Sequence, residues 1–140
     1  MRGMRRFAFL SAALGGLALA ATAAATMVPR ALSGIAPGVW EISRSAAGGG
    51  ARPICVPRVV LLGQIAHGSQ MCTRTVLRDS PGELVMDISC GPSDFGRSRI
   101  TVTTPRSLKI ETQGIHHGEP FDMTVYARRV GNCAPALERR

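Results

Sequence analysis

Two adjacent histidines, His116 and His117, are followed at short spacing by Glu119 and Asp122, and together they make the one cluster of metal-type ligands in this chain. Imidazole nitrogens and carboxylate oxygens can bind a divalent cation or shuttle a proton. The spacing works against the first use, because neighbours in an extended segment point to opposite sides and the two imidazoles then do not share one ion. The plain expectation for "IHHGEP" is a polar turn between strands. The sharper one is a small hydrolase-like site in which His116 or His117 works with Glu119 or Asp122. A third histidine, His67, closes an apolar stretch, where capping of a helix end or solvation is the expected role. No Gly-x-Ser-x-Gly elbow and no phosphate-cradling glycine loop occurs, so the expectation is a chain without a catalytic motif or cofactor.

Four cysteines, Cys55, Cys72, Cys90 and Cys133, stand 17, 18 and 43 residues apart with no Cys-x-x-Cys among them. That spacing argues against a structural zinc site. An even count in an exported chain implies disulfides, and four cysteines allow three pairings. The favoured pairing is Cys55 with Cys72, bracketing a weakly capped helix, and Cys90 with Cys133. Each bridge would contribute about 3 to 4 kcal/mol by loop entropy.

Export is read from the first residues. Arg2, Arg5 and Arg6 precede the apolar run from Phe7 to Ala21, and small residues follow. Residues 1–25 are therefore expected to be a signal peptide cut after Ala23 or Ala25, leaving no transmembrane segment and placing the protein in the periplasm. The chain carries 17 basic and 9 acidic residues, and removing those three arginines leaves 14 against 9, about +5. The remaining charges are interspersed and aromatics are few, which excludes a nucleic-acid footprint. Scattered Arg97, Arg99, Arg106, Arg128 and Arg129 allow weak association with anionic lipid.

The elements that must position these residues are mostly strands. Residues 26–37 read as a flexible lead-in, 38–133 as a single β-rich domain and 134–140 as a disordered tail. Trp40, in "GVWEIS", reads as a core anchor or a ligand platform. "VPRVVLLGQIAHG" reads as one short helix with Val59, Leu62, Ile65 and Ala66 on one face. Alternation then puts Leu84, Met86, Ile88 and Cys90 on one side of a strand, and the same phase joins Ile100 to Val102, Leu108 to Ile110, and Phe121 to Met123, Val125 and Ala127. Short strands with tight turns predict a mainly β fold: an antiparallel meander forming a curved sheet or partial barrel, with one short helix and two disulfides. On such a frame the leading expectation is a non-catalytic module that binds a small apolar ligand or a protein partner in the cell envelope.

"APGVWEIS", "ICVP", "MCTRTVLRD", "ELVMDISC" and "ARRVGNC" follow one another as ordered landmarks. In these the chain resembles the domain-of-unknown-function family 3617, small exported proteins of Gram-negative bacteria, from Ile35 to Cys133. It departs from the family in having Val56-Pro57-Arg58 where a Thr-Pro-Glu-like helix start is usual, and in a shorter hairpin over Ser45 to Ala51. The resemblance implies compartment, domain extent and cysteine pattern. It implies no activity and no catalytic residue.

Overall fold

Strand alternation builds nearly the whole molecule. The structure, a computed structural model, describes residues 27–135. The expected signal peptide and the tail beyond residue 135 lie outside those residues. Among the described residues seven strands occur, β1 (Gly38–Ser43), β2 (Arg52–Val56), β3 (Thr73–Ser80), β4 (Glu83–Gly91), β5 (Asp94–Thr104), β6 (Ser107–His116) and β7 (Glu119–Gly131). Two 3-10 helices, η1 (Arg30–Leu32) and η2 (Val59–His67), accompany them. All strand pairs are antiparallel, in the order β2-β1-β7-β6-β5-β4-β3. The meander expected from β3 to β7 is present. The hairpin of β1 and β2 adds to it by setting β1 against β7, so the first and last strands are neighbours.

One face of the sheet carries the core. Leu84, Met86 and Ile88 of β4, Ile100 of β5, Leu108 and Ile110 of β6 and Val125 and Ala127 of β7 are all buried, as their alternation requires. Trp40 is fully buried in the same cluster, which makes it a core anchor. Leu62 and Val59 of η2 and Leu32 of η1 cover this face. The lead-in expected over 26–37 is therefore partly core: Leu32 is buried, and the Asp79 carboxylate of β3 accepts the N–H groups of Arg30 and Ala31 at 2.7 and 2.8 Å.

The helical segment differs from its expected form. It is a 3-10 helix broken at Gln64, and its buried set is Val59, Leu62, Gly63, Gln64 and His67, not Ile65 and Ala66. Three residues per turn and the break explain the difference, since the apolar stripe of an α-helix is not reproduced. Gly63 allows the close seat, because a Cβ there would overlap Met86 Cε, and its carbonyl accepts from the buried Ser98 hydroxyl. The Gln64 amide donates to the carbonyls of Gly68 and Gln70 at 3.1 and 3.0 Å and accepts from Arg74, which clamps the end of η2 to β3.

The disulfides are Cys55–Cys133 and Cys72–Cys90, so the expected pairing of Cys55 with Cys72 and Cys90 with Cys133 is corrected. Thr73 pairs with Ser89, and one further step of that ladder sets Cys72 opposite Cys90. Val39 of β1 pairs with Cys55 on one side and with Gly131 on the other, so the chain leaving β7 needs only to turn across the start of β1 to reach Cys55. The second bridge follows from β1 lying beside β7.

Candidate functional site

β6 runs four residues beyond Thr112, its last buried residue, and β5 begins four residues before Ser98, its first. Ladder pairs Phe95–Ile115 and Gly96–Gly114 hold these ends together, and the next step sets Asp94 beside His116. Both lie in phase with buried residues, Asp94 with Ser98 and Ile100, His116 with Ile110 and Thr112, so both side chains emerge on the core side. The connection to β7 is only His117-Gly118, with φ of 51° and 80°, the signs that a two-residue type I′ hairpin turn demands. The polar turn expected at "IHHGEP" is thus shorter than the sequence suggests. His116 belongs to the strand.

His116 Nδ1 and Asp94 Oδ1 are 2.9 Å apart, and the His117 backbone N–H donates to the same oxygen at 2.8 Å. Asp94 Oδ2 is left without a hydrogen-bond partner among the described residues. His67 arrives from the end of η2, and its ring meets those of His116 and Phe121 edge-on at 5.3 and 5.4 Å. It is 2 % exposed, so the expected capping or solvated role is corrected. Neither of its ring nitrogens has a hydrogen-bond partner among the described residues. One ligand atom from each of His67, Asp94 and His116 lies within 4.8 Å of the others. The His116 and Asp94 side chains are 33 % and 16 % exposed, so the cluster is sealed behind His67 and open to solvent in front.

Electrostatics follow from this placement. Burial pushes the His67 imidazole below its ordinary pKa, and the His116 ring beside it pushes the same way, against the pull of Asp94. The His117 N–H holds the Asp94 carboxyl below the usual carboxylate range, with the His116 hydrogen bond adding to it. The resting arrangement is a neutral buried imidazole facing an ionised carboxylate. Two imidazoles and one carboxylate suit Zn²⁺, Fe²⁺ or Mn²⁺, with positions left for water or substrate. A buried imidazole with no partner is what such a set requires of a ligand waiting for its ion.

The expectation of a chain without a catalytic constellation is corrected by this cluster. Of the histidines and carboxylates singled out in the sequence, the structure uses His116. His117 contributes its backbone, with its ring tilted 45° to that of His116 at 4.0 Å between centroids. Asp122 lies on the opposite face, lining a hollow of about 310 Å³ with Arg97, Arg99 and Glu111. Glu119 pairs in register with His116, and its side chain is exposed. Asp94 is a member that the sequence reading does not single out, and His67 is one for which it expects only capping or solvation. For Asp94 the tight turn at Pro105-Arg106 carried only an approximate signal, since counting outward from it sets Asp94 opposite His117, and the irregularity between Val102 and Thr104 shifts the ladder by one residue to bring His116 there. His67 gave none, because nothing local says what the end of a helix packs upon.

The remaining expectations have clear positions. The interior side of the sheet is covered by η1 and η2, and a hollow of about 610 Å³ lies on the other face beside Phe95, Ile115, Thr75 and Arg97. The arginines considered for lipid contact are engaged within the chain. Arg97 pairs with Asp87, Arg99 with Glu83 and Arg128 with Glu41, at 2.7, 3.1 and 2.9 Å. Arg106 donates to the Arg129 carbonyl, and Arg129 to the Pro37 carbonyl and to Asn132. Among the described residues no helix is long and apolar enough to cross a membrane.

A family model described as a protein of unknown function, DUF3617, matches residues 35–133. No curated protein and no solved structure matches the chain.

Proposed function

Since the chain belongs to the DUF3617 family, whose description carries no activity, we propose a function from the site itself: an exported periplasmic protein that binds a divalent transition-metal ion through His67, Asp94 and His116. The observation that carries this reading is the buried His67 ring with both nitrogens unpartnered, facing an aspartate–histidine pair. A buried polar group without a partner costs about 1 to 3 kcal/mol, and the coordination bond is the interaction that would offset it. Export is supported by the basic, apolar and small-residue order of residues 1–25 and by two disulfides, which persist in an oxidising compartment.

An ion held there supplies Lewis acidity and, at an open position, a water that ionises near neutral pH, which is the chemistry of a small metal-assisted hydrolase. The chain's own residues divide the remaining work. Asp94 fixes the orientation of the His116 ring through its contact with Nδ1. The Phe121 edge and the η2 terminus keep water from the rear of His67. Gln64 and Arg74 hold the η2 terminus in place. A second reading, carried by the 2.9 Å Asp94–His116 contact, is metal-free proton transfer by that pair, with His67 as a neutral neighbour.

The test is calorimetric titration of the oxidised protein with Zn²⁺, repeated on His67→Ala and His116→Ala. The expected result is one site in the parent and none in either variant. Equal binding by all three proteins would overturn the metal reading, and esterase activity that persists in chelator and falls with His116→Ala would favour the second.

A further inference from the structure

β7 begins at Glu119, directly across the ladder from His116. Residues opposite each other in an antiparallel pair send their side chains to the same face, with Cβ atoms about 4.5 to 5.5 Å apart. Phe121 fixes which face that is. It stands two residues on, so it shares the side of Glu119, and its ring lies against His67. Glu119 therefore starts from the side of the sheet on which His67, Asp94 and His116 converge. Among the described residues its carboxylate takes part in no hydrogen bond or ion pair. Nothing holds it away from the cluster, and the His117-Gly118 turn fixes its backbone close by.

Resting on the metal reading above, we infer that Glu119 is the fourth protein ligand of the site: its exposed carboxylate swings over the open, solvent-facing side once an ion is held by His67, Asp94 and His116. The resulting set is two imidazoles and two carboxylates, a harder donor set than three histidines and one that suits Zn²⁺, Mn²⁺ or Fe²⁺ over Cu⁺. Closure from the front also gives the site a mobile ligand, which can be displaced by a substrate oxygen while the other three stay fixed. His67 is the second, independent sign of a ligand here, being an unpartnered imidazole more than nine-tenths buried at the same point.

Glu119 is exposed and bonds to nothing, so Glu119→Gln should fold as the parent does, and Asp122→Asn, on the same strand but the other face, is the matched control. Co²⁺ titration of the oxidised protein, followed by visible absorption, reads both affinity and ligand field. The expected outcome is at least about a tenfold loss of affinity and an altered visible band for Glu119→Gln, with Asp122→Asn unchanged. A parent-like titration and spectrum for Glu119→Gln would overturn the inference while leaving the three-residue centre standing. Equal losses in Glu119→Gln and Asp122→Asn would also overturn it, by showing a general charge effect. Failure of the parent to bind Co²⁺ or Zn²⁺ at all would overturn the metal reading and this inference with it.

Discussion

Replacing His67 by leucine separates a functional ring from a structural one. A neutral imidazole offers one donor and one acceptor, and in this protein both ring nitrogens are buried without partners. Each such group costs about 1 to 3 kcal/mol in the folded state. Leucine has a similar volume and removes both costs, against a shape mismatch of up to about 1.5 kcal/mol. His67→Leu should therefore stabilise the metal-free protein by about 2 kcal/mol, raising Tm by roughly 4 to 8 °C per kcal/mol for a domain of about 100 residues. The assay is urea and thermal unfolding of the oxidised protein, once in chelator and once in Zn²⁺. With Zn²⁺ at about 100 times its Kd the parent gains about 2.7 kcal/mol from binding, and His67→Leu gains nothing, so the order of the two proteins narrows or reverses. A His67→Leu protein less stable than the parent in chelator would refute the reasoning, because it would mean that the ring's edge contacts with His116 and Phe121 outweigh its unpaired nitrogens.

Three other outcomes are expected. Cys55→Ser with Cys133→Ser should lower stability by about 4.5 kcal/mol and Cys72→Ser with Cys90→Ser by about 3.2 kcal/mol, because the first pair spans 78 residues and the second 18; urea unfolding of each double variant checks the order. Gly114→Ala should cost 1 to 3 kcal/mol or so and loosen the site, since its Cβ would collide with the Phe95 carbonyl and come within 2.5 Å of Gly96 Cα; unfolding together with Zn²⁺ titration reads both effects. The Asp79 carboxyl is held below its ordinary pKa chiefly by the Ala31 N–H and then by that of Arg30. A depressed folded value means stability that is present above the unfolded carboxylate pKa of about 3.9 and lost as pH falls through the folded value. An NMR acid titration should show the Arg30 and Ala31 amide signals moving together only below that unfolded value, and movement near neutral pH would refute the link.

Much of this molecule is set by local pattern. Alternation at Leu84, Met86 and Ile88, and again at Leu108 and Ile110, decides which side of each strand is buried, because successive side chains in a strand must point to opposite faces. The same rule places Cys90 at the core and sends Asp94 and His116 to one side of neighbouring strands. For the Cys72–Cys90 bridge, counting along the hairpin that turns at Pro81-Gly82 comes within one residue by setting Thr73 opposite Cys90, and the irregularity between Val76 and Arg78 shifts the ladder to bring Cys72 there. Three features lie beyond such counting. The place of β1 beside β7 joins Trp40 to Arg129 across most of the chain's length, and it alone brings Cys55 to Cys133. The break at Gln64 turns η2 away from an α-helical stripe and aims His67 inward. His67 then meets the Asp94–His116 pair only because Gly63 lets η2 sit directly on Met86. Local sterics act over neighbouring residues, so sequence alone determines faces and short hairpins. Strand order and the landing point of a helix end are decided by which apolar surfaces can be buried together, and that is a property of the assembled chain.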